Sequence, residues 1–355
     1  MNFKGKIYYK GDAGYEEARV GRVFNHLRPN RYPVAIFFPE NADDVVAAVE
    51  FANEKSYKIA TRSGGHSWAV WSVRDEGILL DLKHLNSISL NKATGIVSAG
   101  PATKGGQELA PFLKENDLFF AGGHCPTVGI GGFLLQGGQG WNARGWGWSA
   151  EQIESIDVVT ANGELVKADA NQNSDLFWAA RGAGPGFFGV VTCFHLKTRP
   201  LPKALTASTY VYPADVCEGV LHWLQTMHTT IANTVEIVAV GQTFEFGTGM
   251  VVHAMAFENT PEAAQKALAP FEECPFLSKA IVRKFALPTT LAAEYEVQVK
   301  NNPEGHRWAV SNAWLKGNPD QVAPIIKDSF IKLPNEKTFR SEERRVGKEC
   351  LRLCR

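Results

Sequence analysis

Residues 61–67 read TRSGGHS and residues 122–140 read GGHCPTVGIGGFLLQGGQG, so two stretches each crowd glycines around one nucleophilic side chain, His66 and Cys125. No other feature restricts the chain as much. Glycine lets main-chain N–H groups approach a pyrophosphate with no Cβ in the way, and successive amides then form an anion-binding concavity. A reactive Cys125 would need donors that favour its thiolate, and the amides of Gly129, Gly131 and Gly132 are suitable ones. The rest of the chain is expected to wall this cradle.

Taken in order, residues 32–39 (YPVAIFFP) pattern as a short buried strand, and Val45, Val46, Val49 and Ala52 then share one helical face. KIATRSGGHS empties a strand into the first glycine cluster, which marks the ligand end of an α/β unit. ILLDL (78–82) and GIVSAG (95–100) read as strands, and residues 107–115 as a helix. Asn162-Gly163 between two β-forming runs signals a type I′ hairpin. A helical DLFWAARG follows, then a strand to Thr198, and Arg199-Pro200-Leu201-Pro202 marks a boundary. From Leu205 the order becomes strand, helix, strand, strand, helix, then one more strand and helix. One antiparallel sheet backed by helices on one face accounts for that order and leaves the other face for a pocket.

The domains are therefore expected at 1–204 and 205–340, with 341–355 (SEERRVGKECLRLCR) set apart as a tail derived from cloning or adapter sequence. Five of the 37 Lys and Arg and three of the 37 Asp and Glu lie in that tail, which leaves 32 against 34 and a body of net charge −2. Such a body has no electrostatic reason to seek nucleic acid or an anionic membrane. No apolar run is long enough for a membrane span, and the N-terminus has no secretory h-region. Cys193, Cys217 and Cys274 are scattered, which favours a reducing interior.

Gly184-Pro-Gly186-Phe-Phe-Gly189 satisfies G-x-G-x-x-G literally, yet a helical stretch precedes it and β-formers follow. A dinucleotide fingerprint needs the reverse context, so a tight turn is expected here. His124 beside Cys125 finds no second pair at ligand spacing, so no metal site is expected. Trp223, Tyr295, Trp308 and Trp314 are candidates for a pocket wall, although aromatics at such spacing are more often core. By residue logic alone the reading stops at a nucleotide-like cofactor site with two reactive side chains.

RSGGHSW, GGHCPTVGIGG, the following GW, the Asn-Gly hairpin, DLFWAARGAGPGFFGVVT and the proline-marked boundary together resemble a family of flavin-dependent oxidases. It is the vanillyl-alcohol oxidase and p-cresol methylhydroxylase (PCMH) superfamily, in its berberine bridge enzyme-like and oligosaccharide oxidase branch. The resemblance covers residues 32–202 closely and the remainder loosely. It implies an α+β fold, with a two-part PCMH-type FAD-binding domain followed by a substrate-binding domain. It also implies FAD attached twice: His66 matches the histidine linked to the flavin 8α-methyl carbon, and Cys125 the cysteine linked to C6. Arg62, Ser63, Gly64, Gly65, Ser67, Thr127, Val128, Gly129, Gly131, Gly132, Gly140, Gly189, Val190 and Val191 fall in the segments that wrap the cofactor. The implied reaction oxidises an alcohol, of a carbohydrate or an aromatic metabolite, by hydride transfer to flavin N5, with O2 as acceptor and hydrogen peroxide as product.

Val128 occupies the position regarded in this branch as an oxygen gate, and Gln136 stands where a GGG run commonly begins. Members of the branch continue with a segment that returns to the flavin and supplies the catalytic base, so this chain is expected to be C-terminally truncated and its base is not assigned. The alternatives are a flavin dehydrogenase with another acceptor and a flavin-binding chain without turnover. The expected partners are a small-molecule substrate and O2. Oligomeric state is not legible.

Overall fold

Met1–Trp141, Trp148–Leu201 and Tyr295–Arg307 form one unit, and Asn142–Gly147, Pro202–Glu294 and Trp308–Arg355 a second. The computed structural model describes residues 2–227, 229–313, 315–345 and 348–354, so the candidate pocket residue Trp314 lies outside the described residues.

In the first unit, Lys6–Tyr9 (β1), Ala35–Phe38 (β2), Lys58–Arg62 (β3) and Gly77–Asp81 (β4) make a four-stranded sheet ordered β1-β2-β4-β3. AIFF and GILLD, the sequences of β2 and β4, are buried throughout, as expected of strands covered on both faces. Accordingly β2 and β3 both run parallel to β4, and β1 adds an antiparallel edge. The crossover from β2 to β3 is the helix Ala42–Glu54, whose first turn is capped by the Asn41 side chain accepting from the Asp44 amide. Val45, Ala48, Val49 and Ala52 of that helix pack on Phe37, Ile78 and Leu80. β3 therefore delivers its C-terminal end, and the glycines after it, to the ligand side of a parallel sheet.

Ile88–Asn91 (β5), Ile96–Ala99 (β6), Ile153–Val159 (β8), Leu165–Ala168 (β9) and Val190–Lys197 (β10) build a second, antiparallel sheet ordered β5-β6-β10-β8-β9. Leu118–Phe119 (β7) pairs separately with Arg199–Pro200 (β11). Val97, Ala99, Ile156, Val158, Phe194 and Leu196 cover the core side of the five-stranded sheet. The β8–β9 hairpin forms at Asn162-Gly163, but the turn is not type I′. Gly163 donates to the Thr160 carbonyl, and of the two residues only Gly163 stands at positive φ, 82°. Beyond the last ladder pair, Val159 and Leu165, the loop runs over five residues, 160–164, three more than the dipeptide, so an ordinary turn closed by one left-handed glycine suffices. Gly184–Gly186 is a single 3-10 turn followed by β10, which excludes the helix-opening role a dinucleotide fingerprint needs.

The second unit is organised by Ala204–Pro213 (β12), Val235–Phe244 (β13) and Gly247–Glu258 (β14), all antiparallel. Val282–Pro288 (β15) joins one edge. Val310–Ala313 (β16), Arg340–Arg345 (β17) and Lys348–Cys354 (β18) extend the other. The segment set apart on composition, 341–355, carries β18 and most of β17. Helices Cys217–Met227, Pro261–Leu268 and Pro319–Ile331 supply Val220, Leu224, Ala264, Leu268, Val322 and Phe330 to the core against β12, β13 and β14. Trp223 packs at the margin of that core, edge-on to Phe271 at 6.4 Å. The architecture is α+β, with an antiparallel sheet backed by helices in the second unit.

Candidate cofactor site

The two glycine clusters meet in the first unit, and they meet backbone to backbone. A Cβ on Gly64 would lie 2.3 Å from the Gly129 nitrogen, and one on Gly129 would lie 2.6 Å from the Gly64 nitrogen. Side chains are excluded from this crossing on both strands of chain. Gly65 stands at φ 74° and abuts the Arg22 carbonyl, so its place also requires glycine. Ser63 lies under Gly131, whose amide donates to the Pro101 carbonyl. Among the described residues, the amides of Gly64, Gly65 and His66 donate to no backbone carbonyl. Three consecutive donors of that kind are what an anion-binding concavity requires.

His66 sits at the end of this loop. Its Nε2 is 2.8 Å from Thr127 Oγ1, so a side chain from each cluster is joined, and its ring stacks on Phe24 with centroids 4.3 Å apart. Burial, aided by the Lys104 ammonium, pushes the imidazole down to about 4. His66 is thus neutral at neutral pH. With Nε2–H donating to the threonine hydroxyl, the lone pair lies on Nδ1.

Cys125 is half-buried. Tyr295 lies in the same neighbourhood: it accepts a hydrogen bond from Trp141 Nε1 at 3.2 Å, and a Cβ on Gly106 would strike its ring at 2.8 Å. Burial chiefly, and the neighbouring Cys125 in addition, push the Tyr295 phenol up to about 12, so it keeps its proton at neutral pH. His124 packs on Trp141, with ring centroids 4.2 Å apart.

The other expected residues divide by role. Arg62 is buried, with Nε donating to Asp81 Oδ2 at 2.8 Å and the remaining nitrogens to the Arg19 and Ala18 carbonyls. Its side chain is wholly engaged in structure, leaving only its main chain to face a ligand. Ser67 Oγ accepts from the Trp71 amide. Gly132 has nothing within 4 Å of where a Cβ would be, whereas a Cβ on Gly140 would lie 2.0 Å from the Ala121 carbonyl. Val190 and Val191 are buried in β10 opposite Val159 and Val158, and a Cβ on Gly189 would meet Val158 at 2.7 Å. Val128 donates its amide to the Cys125 carbonyl, and its own carbonyl accepts from Gly105. Gln136 caps the short helix Ile130–Leu135 and donates to the Gly132 carbonyl. Tyr295 is the residue whose surroundings sequence reasoning missed.

The profile of a family described as an FAD binding domain matches residues 33–169. The FAD-linked oxidoreductase janO of Penicillium janthinellum is 38% identical over 320 residues, spanning 90% of this chain and 71% of the relative. Among solved structures, 6-hydroxy-D-nicotine oxidase from Arthrobacter nicotinovorans superposes with a TM-score of 0.86 at 22% identity, covering 99% of this chain and 81% of the other. Berberine bridge enzyme from Eschscholzia californica superposes with a TM-score of 0.82 at 20% identity, covering 99% and 76%.

Proposed function

Because this chain belongs to the FAD-linked oxidoreductases, we propose that its FAD is held covalently by both His66 and Cys125 and serves to oxidise an alcohol. When bound, FAD supplies the hydride acceptor, and its reoxidation by O2 gives hydrogen peroxide. The observation that carries the reading is the crossing of Gly64 and Gly129 with a neutral His66 beside it, held through Nε2 by Thr127. The amides of Gly64, Gly65 and His66 receive the pyrophosphate, with Ser63, Ser67, Gly131, Gly132 and Gly140 completing the walls, and Val128 controls approach of oxygen. Val190 and Val191 back the cradle through packing rather than by contact of their side chains with a ligand.

His66 is suited to the tether because its imidazole is uncharged, and in the tautomer whose Nε2–H donates to Thr127 the lone pair on Nδ1 is free; a protonated ring has no nucleophile. Two consequences follow for experiment. Acid precipitation of the purified chain is expected to leave its yellow colour in the pellet, with the intact mass raised by one FAD. His66→Ala and Cys125→Ala should each retain flavin through the other tether, and the double variant should release it to the supernatant. A single variant that releases all its flavin would exclude the double attachment.

The pH dependence follows from the same residue. Its basicity is lowered from the ordinary histidine value of 6.5 to about 4, so the nucleophilic form predominates above about pH 5. Covalent incorporation of FAD into the flavin-free Cys125→Ala chain is expected to hold level from pH 7 to about 5 and to fall only as the pH nears 4. A midpoint near 6.5 in that profile would show a solvated His66 and remove the argument.

A further inference from the structure

A group of side chains on the five-stranded sheet of the first unit has no part in the flavin reading. Asp157 on β8 and Cys193 on β10 are directly opposed across the strands, and His195, two residues beyond Cys193, shares its face. One ligand atom from each of the three lies within 4.8 Å of the other two, with His195 Nε2 and Asp157 Oδ2 separated by 3.1 Å. β10 is interrupted between Val191 and Cys193 and again between His195 and Leu196. Such irregularities commonly re-aim side chains, and here they bracket the two ligands.

We propose that Asp157, Cys193 and His195 form a binding site for a divalent cation of the zinc class. The donor set decides the class: a thiolate and an imidazole beside one carboxylate suit zinc, whereas magnesium and calcium take oxygen almost throughout. Zinc bonds of about 2.0 to 2.3 Å in a tetrahedron place ligand atoms roughly 3.5 Å apart, which small side-chain rotations reach from the observed separations. Three protein ligands leave the fourth position to water, and the carboxylate and thiolate balance the charge of the ion.

Ser98 on β6 is the positioning residue. It lies opposite His195 on the other side of β10, and its Oγ is 2.8 Å from His195 Nδ1. When Nδ1–H donates to the hydroxyl, Nε2 turns its lone pair to Asp157, and two acceptors then face each other unless a cation lies between them. The opposite proton placement, with Ser98 donating to Nδ1 and Nε2–H donating to Asp157, needs no ion. Zinc binding separates the two.

The test uses the full chain with its flavin, stripped of metal by chelation and dialysed against zinc, with bound zinc counted by elemental mass spectrometry. One equivalent is expected. Cys193→Ser and His195→Gln should each abolish it with flavin content and circular dichroism unchanged, and Ser98→Ala should weaken the affinity about ten- to a hundredfold. Cobalt in place of zinc should give a thiolate charge-transfer band in the difference spectrum against the same metal-free protein, and Cys193→Ser should lack it. No retained zinc, or an equivalent that survives both Cys193→Ser and His195→Gln, would overturn the site. Unchanged affinity in Ser98→Ala would overturn the role of Ser98.

Discussion

Gly64→Ala and Gly129→Ala are each expected to cost about 3 kcal/mol of stability and most of the bound flavin. The reason is that neither position can be relieved by moving a side chain. The atoms a new Cβ would meet are backbone: the Gly129 nitrogen at 2.3 Å and Cα at 2.8 Å in one case, the Gly64 nitrogen at 2.6 Å and Cα at 2.8 Å in the other. Relief requires the two segments to part. Parting them carries His66 away from Thr127, since the 2.8 Å hydrogen bond between those side chains bridges the same two segments. Gly132→Ala is the matched control, because nothing lies within 4 Å of its added methyl, and its stability should stay within about 0.5 kcal/mol of the parent. Urea unfolding, with the ratio of flavin to protein absorbance, checks all three. A stable Gly64→Ala with full flavin would mean that the segments do not cross as described.

The chemistry of this site was legible in the sequence wherever it is local. Glycine next to a reactive side chain acts through its own backbone, so TRSGGHS and GGHCPTVGIGG announce a cradle without any knowledge of the fold. That the two stretches touch was not legible, because His66 and Thr127 are 61 positions apart and no periodicity links them. Arg62 shows the opposite error. Its place beside Ser63 and Gly64 suggests a ligand contact, yet alternation along β3 turns its side chain inward to Asp81.

The helix Leu291–Asn301 escaped notice because LAAEYEVQVKN lacks a clean apolar stripe. Val297 and Val299 are exposed, and only two adjacent residues of the helix, Glu294 and Tyr295, are buried. Tyr295 therefore read as one aromatic among several, while its hydrogen bond to Trp141 depends on where that helix lies. The group formed by Asp157, Cys193 and His195 was hidden for a related reason, since strand register and not chain spacing brings Asp157 to the other two. Asn162-Gly163 predicted the hairpin correctly and its turn type wrongly, because loop length is set by how far the ladder of β8 and β9 extends.

Asp81→Asn should destabilise the chain by about 3 to 5 kcal/mol, the range for leaving a buried charge without its partner. Asp81 is fully buried and Arg62 nearly so, opposite each other at the C-terminal ends of β4 and β3. The same carboxylate also receives Arg22 and the Lys83 amide, while a second nitrogen of Arg22 donates to the Ser63 carbonyl at 2.8 Å. One anion thus holds the last residue of β3 and the first residue of the glycine loop together. Removing it strands the buried Arg62 guanidinium, whereas Arg62→Met leaves Asp81 with Arg22 and a main-chain donor. Arg62→Met should therefore cost less than Asp81→Asn. In the double variant Arg62→Met/Asp81→Asn no buried charge is left unpaired, so its cost should fall below the sum of the two single changes. Urea unfolding of the four proteins measures the ordering, and flavin content reports whether the loop follows the strand end. Asp81→Asn within about 1 kcal/mol of the parent would show that water reaches the pair, and the glycine loop would then owe its position to the crossing of Gly64 and Gly129 alone.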